Sequence, residues 1–301
     1  MSTNRLKYTP TEFSQRQSLI SVIIISWNTC DMTLQCIDSV VDSLKTSKLQ
    51  NEIILVDNAS EDNTVSEVAE KFPFVIIIRN PENFGFAKAV NKGIHISSGN
   101  KILLINSDIV IQNAIVSKLV TVLENNPECG IVGPALYSDD TLSHIEHSYF
   151  TKYPNGWDFI WDVLIGFRLR NRALRFKYPV YIPINSENSC NTKLELQNST
   201  KVCALSGALL LIRKEVFETI GYFDEDYYFY FEDIDYCKRA NQYGWDILYV
   251  PEVSVIHFHN GSVKKRIDKQ KIYFNSFYLY LKKQKRIIPL YLIKLLRKIL
   301  P

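Results

Sequence analysis

The feature that most constrains this chain is a rhythm in its first hundred residues. Four short apolar, β-branched runs, LISVIIIS (19–26), NEIILVD (51–57), FVIIIRN (74–80) and KILLINSD (101–108), alternate with stretches of helical spacing. Runs of this length and composition suit strands buried on both faces, the environment of a parallel sheet. Between the first two, Leu34, Ile37, Val40 and Val41 repeat at helical intervals over Asp31–Leu44, and Val65–Phe72 and Phe86–Ile96 also read as helices. Strand–helix–strand alternation predicts a doubly wound, mostly parallel α/β sheet.

Sheets of this kind bind ligands beyond the carboxyl ends of their strands. Asn28, Asp57, Asn83 and Asp108 each fall at or just past such an end, so this half reads as nucleotide-binding. Neither GxGxxG nor GxxxxGK[ST] is present, which argues against a dinucleotide dehydrogenase and against a P-loop enzyme. At 301 residues, 46% hydrophobic and 22% charged, the chain is long enough for one large globular domain or two small ones. A net charge of +3 gives no case for a nucleic-acid partner. The polar N-terminal extension (1–18) does not read as a signal peptide, and no apolar run reaches the length of a membrane span. Six cysteines without metal-ligand spacing point to reduced, buried thiols and an intracellular chain, so the sequons at Asn58, Asn198 and Asn260 read as chance.

Residues 137–200 are irregular and aromatic, with Tyr149, Phe150, Tyr153, Trp157, Phe159, Trp161 and Phe167 among Pro154, Gly156, Pro179 and Pro183. They read as a long surface excursion. Residues 202–221 return to a strand and a helix ended by Gly221; a second helix over Asp233–Tyr243 and a strand at WDILYVP follow. The tail, 263–301, is basic and amphipathic, and Pro289 should divide it into two helices. Two outcomes stand open for it: contact with anionic lipid headgroups, or packing on the globular domain or across a homodimer interface.

Several polar residues carry chemistry. A carboxylate at Asp108, ending a buried strand, is costly unless it meets a cation or donors. A hard divalent ion beside a pyrophosphate would be such a partner, and helix capping is the plainer alternative. Glu232, Asp233 and Asp235 crowd a helix start, where acids are stabilised anyway. Flanked by Tyr228, Tyr230 and Phe231, they also suit an aromatic cleft in which desolvation lifts a carboxyl toward the range of a general base. His257, with His259 two residues on, is either structural or a ligand beside a metal-binding Asp. Asp57 can accept from a pyrimidine N–H or a ribose hydroxyl, or, with Asn58, Ser60 and Asp62, form a turn and helix cap. Trp27 can stack on a base or pack in the core.

Taken in order, SVIIISWN, ILVDNASEDNT, RNPENFGFAKAVNKGI, LLINSD and GALLLIRKEVFETIGYFDEDYYFYFEDIDYCKRANQYGWDILYVPEVSVIHFHNGS closely resemble the inverting glycosyltransferases of family 2. The second half is particularly similar to their bacterial rhamnosyltransferase branch. Each motif is weak alone, and the combination is specific. The resemblance implies a GT-A fold over 19–262, with a nucleotide-binding half (19–110), an acceptor half (111–262) and a C-terminal helical tail. It also implies a nucleoside-diphosphate sugar donor, a glycan or lipid-linked acceptor, and Mg2+ or Mn2+.

Carried over by position, Ser26, Trp27, Asn28 and Asp57 would line the nucleotide pocket. Asn83, Gly85 and Asn91 match an N-x-G-x-x-x-x-x-N element near the donor. Asn106 and Ser107 lead to Asp108, which would bind the metal with His257. Asp233 would be the catalytic base, Glu232 and Asp235 would shape the acceptor site, and Gly207 and Ala208 the sugar pocket. The family's Asp-X-Asp is here Asn106-Ser107-Asp108, and the similar branch commonly keeps only the last Asp. The implied activity is inverting transfer, with dTDP-rhamnose the leading donor, in cell-surface polysaccharide (O-antigen-type) synthesis. It would take place in the cytoplasm, at the inner membrane face if the tail binds lipid. Two other functions compete. A nucleotidyltransferase would want a basic, Gly-rich loop after the first strand, and WNTCDMT has neither feature. A non-catalytic glycan- or partner-binding module would be favoured by loss of Asp108 or of Glu232–Asp233, and all three are present.

Overall fold

The structure is a computed structural model and describes residues 19–47, 49–112, 114–142, 145–146, 148–157, 160, 198–258 and 269–299. The N-terminal extension, His259, Asn260, Cys190 and most of the aromatic middle, including Phe159, Trp161, Phe167, Pro179 and Pro183, lie outside the described residues.

In chain order the first half runs β1 (Leu19–Ser26), α1 (Cys30–Lys45), β2 (Gln50–Asp57), α2 (Thr64–Lys71), β3 (Ile76–Arg79), α3 (Phe86–Ile96) and β4 (Lys101–Asn106). The four strands pair in parallel in the order β3-β2-β1-β4. Their apolar composition is explained by burial on both faces. Ile23 of β1 points into a cluster with Val90 and Ile94 of α3, while Ile20, Val22 and Ile24 point into another with Ile37 and Val40 of α1. Successive strand residues face opposite sides, so both faces must be apolar.

The second half adds β5 (Ile109–Val110), α4 (Ile115–Asn125), β6 (Cys129–Tyr137), β7 (Tyr149–Phe150), β8 (Thr200–Lys201), β9 (Ala204–Leu205), β10 (Leu209–Arg213), α5 (Lys214–Ile220), α6 (Glu232–Gln242) and β11 (Asp246–His257). One nine-stranded sheet results, in the order β3-β2-β1-β4-β10-β6-β11-β5, with β8 also on β11; β7 and β9 form a separate pair. The expected mostly parallel α/β sheet is borne out. Its interior interruption is β10, antiparallel to both β4 and β6, while the short β5 and β8 also pair antiparallel, each with β11. This reversal brings the chain just before Leu209 to the carboxyl end of β4.

The tail forms α7 (Lys269–Lys283) and α8 (Ile287–Ile299). The break falls at Gln284–Arg286, where Lys285 takes φ 55°, and not at Pro289. Pro289 is the third residue of α8, inside the first turn, where a backbone N–H has no intrahelical partner to lose. Tyr273, Phe274, Phe277, Tyr280 and Leu281 of α7 are buried against the globular domain. Packing is therefore the outcome for this helix. Among the described residues no helix is long and apolar enough to cross a membrane.

Candidate active site

Asp57 ends β2 completely buried. Its Oδ2 accepts from the Ser60 backbone N–H (3.0 Å), the turn role foreseen for it. Its Oδ1 is buried without a hydrogen-bond partner. A buried carboxylate oxygen lacking a donor is costly in isolation and suits a ligand N–H or O–H. Asn28, at φ 54°, locks the neighbouring loop: its N–H donates to Ser60 Oγ (2.8 Å) and its Oδ1 accepts from the Glu61 N–H (2.7 Å). Trp27 is half-buried beside it. Ala59, Ser60, Glu61, Arg79, Asn80 and Pro81 line an open cavity at this end of the sheet. Arg79 and Asn80 escaped the sequence reading because they only continue an apolar run, yet Arg79 pairs in register with Asp57.

An asparagine network braces this side. Asn58 is buried; its Nδ2 donates to Asn83 Oδ1 and to the Gly85 carbonyl (both 3.0 Å), and its Oδ1 accepts from Asn80 Nδ2 and the Phe84 N–H. That commitment is a second reason against a glycan on this sequon. Gly85, at φ 85°, is obligatory, since a Cβ there would lie 2.2 Å from the Tyr228 carbonyl oxygen.

Some predicted nucleotide-side residues do structural work. The Asn91 amide donates to the Phe223 carbonyl (2.8 Å) and Glu225 Oε1 (2.9 Å) and accepts from the Phe223 N–H, stapling that loop to α3. Ser26 and Ser107 belong to a buried hydroxyl chain through Thr29 and Thr33, with contacts of 2.9–3.0 Å. This chain ties the end of β1 to the turn carrying Asp108.

Asp108 and His257 meet although 149 positions apart. β5 pairs antiparallel with the end of β11, His257 opposite Ile109, and His257 Nε2 lies 3.4 Å from Asp108 Oδ1. On the other ring nitrogen, Nδ1 lies 3.1 Å from Glu146 Oε2. Burial pulls the imidazole pKa down, and the Asp108 and Glu146 carboxylates more than offset it, raising it to about 9. Among the described residues no three or more metal-ligating side chains converge on one point, so a cation here would have only Asp108 and His257 as protein ligands. That pair fits a hard divalent ion, which takes one or two protein carboxylates and completes its shell with phosphate and water oxygens.

Asp233 opens α6, buried. Its Oδ2 accepts from the Gly207 N–H (2.9 Å) and its Oδ1 from the Ile234 N–H (2.8 Å). Burial raises its pKa above the ordinary carboxylate range, against the lowering effect of those two N–H groups and of its own backbone N–H. Gly207 leaves room for the carboxylate, since a Cβ there would sit 3.3 Å from Asp233 Cβ. The Ala208 carbonyl accepts from the Asn106 N–H (2.9 Å), so the turn at 206–208 links Asp233 to the strand end that leads to Asp108.

Helix α6 is launched by two consecutive left-handed residues, Tyr230 (φ 71°) and Phe231 (φ 69°). Bulky residues hold that conformation only where packing imposes it. Phe231 is buried against Tyr273, Phe277 and Tyr280 of α7, and Ser276 Oγ donates to the Phe229 carbonyl (2.7 Å). Of the remaining acids, Glu232 is buried at the helix start, while Asp235 is engaged by Arg239 Nε (2.9 Å). Arg239 also donates to the Ile220 and Tyr222 carbonyls, so Asp235 anchors the preceding loop.

The model of the family described as "Glycosyl transferase family 2" matches residues 21–221. The chain belongs to glycosyl transferase family 2. Curated relatives of this family 2 chain include the N-acetylglucosaminyl-diphospho-decaprenol L-rhamnosyltransferase of Mycobacterium tuberculosis, 25% identical over 68% of this chain and 66% of that protein. The dTDP-rhamnosyl transferase RfbF of Shigella flexneri is 25% identical over 80% of this chain and 69% of that one. The match thus spans just under two thirds of the mycobacterial relative's length.

Two solved structures share the fold at 16% identity. One is the mannosyltransferase PcManGT from Pyrobaculum calidifontis with GDP-Man and Mn2+ (TM-score 0.54, 84% of this chain, 61% of that one). The other is GalNAc-T7 with UDP, GalNAc and Mn2+ (TM-score 0.56, 81% and 44%). The GT-A expectation is borne out. Asp233 and His257 lie beyond the span of the family model.

Proposed function

We propose that this family 2 domain transfers a sugar from a nucleoside-diphosphate donor to a hydroxyl of a glycan or lipid-linked acceptor, with inversion. The observation that carries this reading is the buried, pKa-raised Asp233 held on the Gly207 N–H, one turn from the strand end bearing Asp108. An ionised carboxylate offers about four acceptor positions, so beyond its backbone N–H donors Asp233 keeps a lone pair for an acceptor hydroxyl. The hydroxyl gives its proton to Asp233 as its oxygen bonds the anomeric carbon. The bond from that carbon to the diphosphate breaks on the opposite face, so configuration inverts. Asp57 receives the nucleotide through its unmatched Oδ1. Mg2+ or Mn2+, held by Asp108 and His257, would supply neutralisation of the charge developing on the leaving diphosphate. We assign donor recognition to 19–110 and acceptor recognition to 111–262.

The donor we propose is dTDP-rhamnose, on the strength of the rhamnosyltransferase relatives. The product would be a cell-surface polysaccharide precursor of O-antigen type, made in the cytoplasm. The test is a thermal-shift panel of dTDP, UDP, GDP and CDP with and without Mn2+, followed by transfer of labelled rhamnose. A Mn2+-dependent shift with dTDP alone, and a product of inverted anomeric configuration, are expected. A retained configuration overturns the mechanism. Donor binding without hydrolysis or transfer favours a binding module.

The second tail helix supports peripheral membrane contact. Ile288, Tyr291, Leu292 and Leu295 of α8 form an exposed stripe at helical spacing, while Leu290 and Ile293 face inward. No Asp or Glu occurs after Asp268, and Lys282, Lys285, Arg286 and Lys294 stand exposed around the stripe. An apolar stripe in a wholly basic setting is complementary to an anionic lipid surface. Sedimentation with anionic but not neutral vesicles is expected. No sedimentation, with a concentration-dependent dimer instead, would assign the stripe to a homodimer.

A further inference from the structure

Glu146 belongs to none of the family motifs and sits in the irregular segment TLSHIEHSYF. The structure holds it firmly. Its backbone N–H donates to the Leu136 carbonyl (2.8 Å), and the residue before it bridges Tyr137, so the segment is fastened to the end of β6. That strand lies parallel and next to β11, whose last residue is His257. The Glu146 side chain is largely buried, and its Oε2 lies 3.1 Å from His257 Nδ1. The opposite nitrogen, Nε2, faces Asp108. The ring is thus bracketed by two carboxylates of different duty. An imidazole binds a metal through one nitrogen lone pair, which at Nε2 becomes available when the ion displaces that nitrogen's proton to solvent, and the other N–H needs an acceptor to fix ring orientation and tautomer.

We propose that Glu146 is the positioning residue of the cation site: it accepts the Nδ1–H of His257 and so directs the Nε2 lone pair toward the ion that Asp108 holds. Glu146 does not touch the ion. Its removal frees the ring to rotate and to adopt the other tautomer, and partners of this kind are worth about 10- to 100-fold in metal affinity. The inference rests on the assignment of Asp108 and His257 as ligands, so its test separates the two.

Mn2+ alone is titrated into the full chain, and the free ion is followed by its electron paramagnetic resonance signal. Asp108→Asn reports on the ligand assignment. Glu146→Ala should weaken Mn2+ binding about 10- to 100-fold with an unchanged melting temperature. Glu146→Gln, which keeps an acceptor oxygen, should restore it to within about threefold. Should the alanine variant fail to fold, Glu146→Asp, too short to reach Nδ1, should show the same loss. Unchanged binding in a folded alanine or aspartate variant, with Asp108→Asn impaired, overturns the role of Glu146 and leaves the metal assignment standing. A glutamine variant as weak as alanine overturns the hydrogen-bond account. Absence of Mn2+ binding by the unaltered chain overturns both.

Discussion

Single residues at this site are under opposing demands. Asp233 is desolvated, as the proposed base role requires, yet held by N–H donors, and its direction of shift shows that burial wins. Asp233→Asn removes the proton acceptor, so kcat should fall about 10²- to 10⁴-fold, while the nucleotide-induced thermal shift persists. Near-normal turnover would remove Asp233 as base. The shift also sets a pH profile. Because the folded pKa lies above the ordinary value of 3.8, the base is protonated and idle below it, and kcat/KM should rise with pH through a limb lying above that value. A limb at the ordinary Asp value would contradict the burial argument. Gly85→Ala combines a strained positive φ with a clash on Tyr228, and should cost about 3 kcal/mol in urea unfolding. Much of this scale was legible in advance. Asp57, Asp108 and Asp233 stand out as carboxylates at the ends of apolar runs or at a helix start. The structural duties of Asn91, Ser26 and Asp235 were not legible, because their partners Phe223, Ser107 (through Thr29) and the Ile220–Tyr222 carbonyls are chosen by packing.

Among elements, α7 changes the meaning of the tail. A basic amphipathic stretch beyond the family model reads equally as a membrane anchor or a packed helix. The structure packs it on the segment leading into α6, with Phe231 stacked on Phe277 and Lys283 bridging Asp224 (2.5 Å) and Asp226 (2.6 Å). This helix imposes the left-handed Tyr230–Phe231 pair that aims Glu232 and Asp233. Phe277→Ala should therefore do two things. It should cost about 3–5 kcal/mol of stability, as a large-to-small change in a buried cluster. It should also lower kcat more than it raises the donor KM, measured below the melting transition, because Phe277 stacks on Phe231, the residue that starts the helix carrying Asp233. Equal changes in both would mean that the helix supports the fold as a whole and not the base in particular.

At the scale of the molecule, one sheet gathers the candidate site residues on strands that the chain visits far apart. The alternation of buried strands with amphipathic helices, and the polar residue at each strand end, were set by the sequence alone, since periodicity and burial pattern are local properties. So was the family, from motifs lying mostly within the first 221 residues. Tertiary structure decided the rest: the antiparallel insertion of β10, which delivers Gly207 and Ala208 to the end of β4; the Asp108–His257–Glu146 alignment; and the packing of α7 on Phe231, ahead of Asp233. These depend on pairing between residues a hundred or more positions apart. A local pattern can say that such a strand or helix forms, but only the summed burial of the whole sheet selects its neighbours.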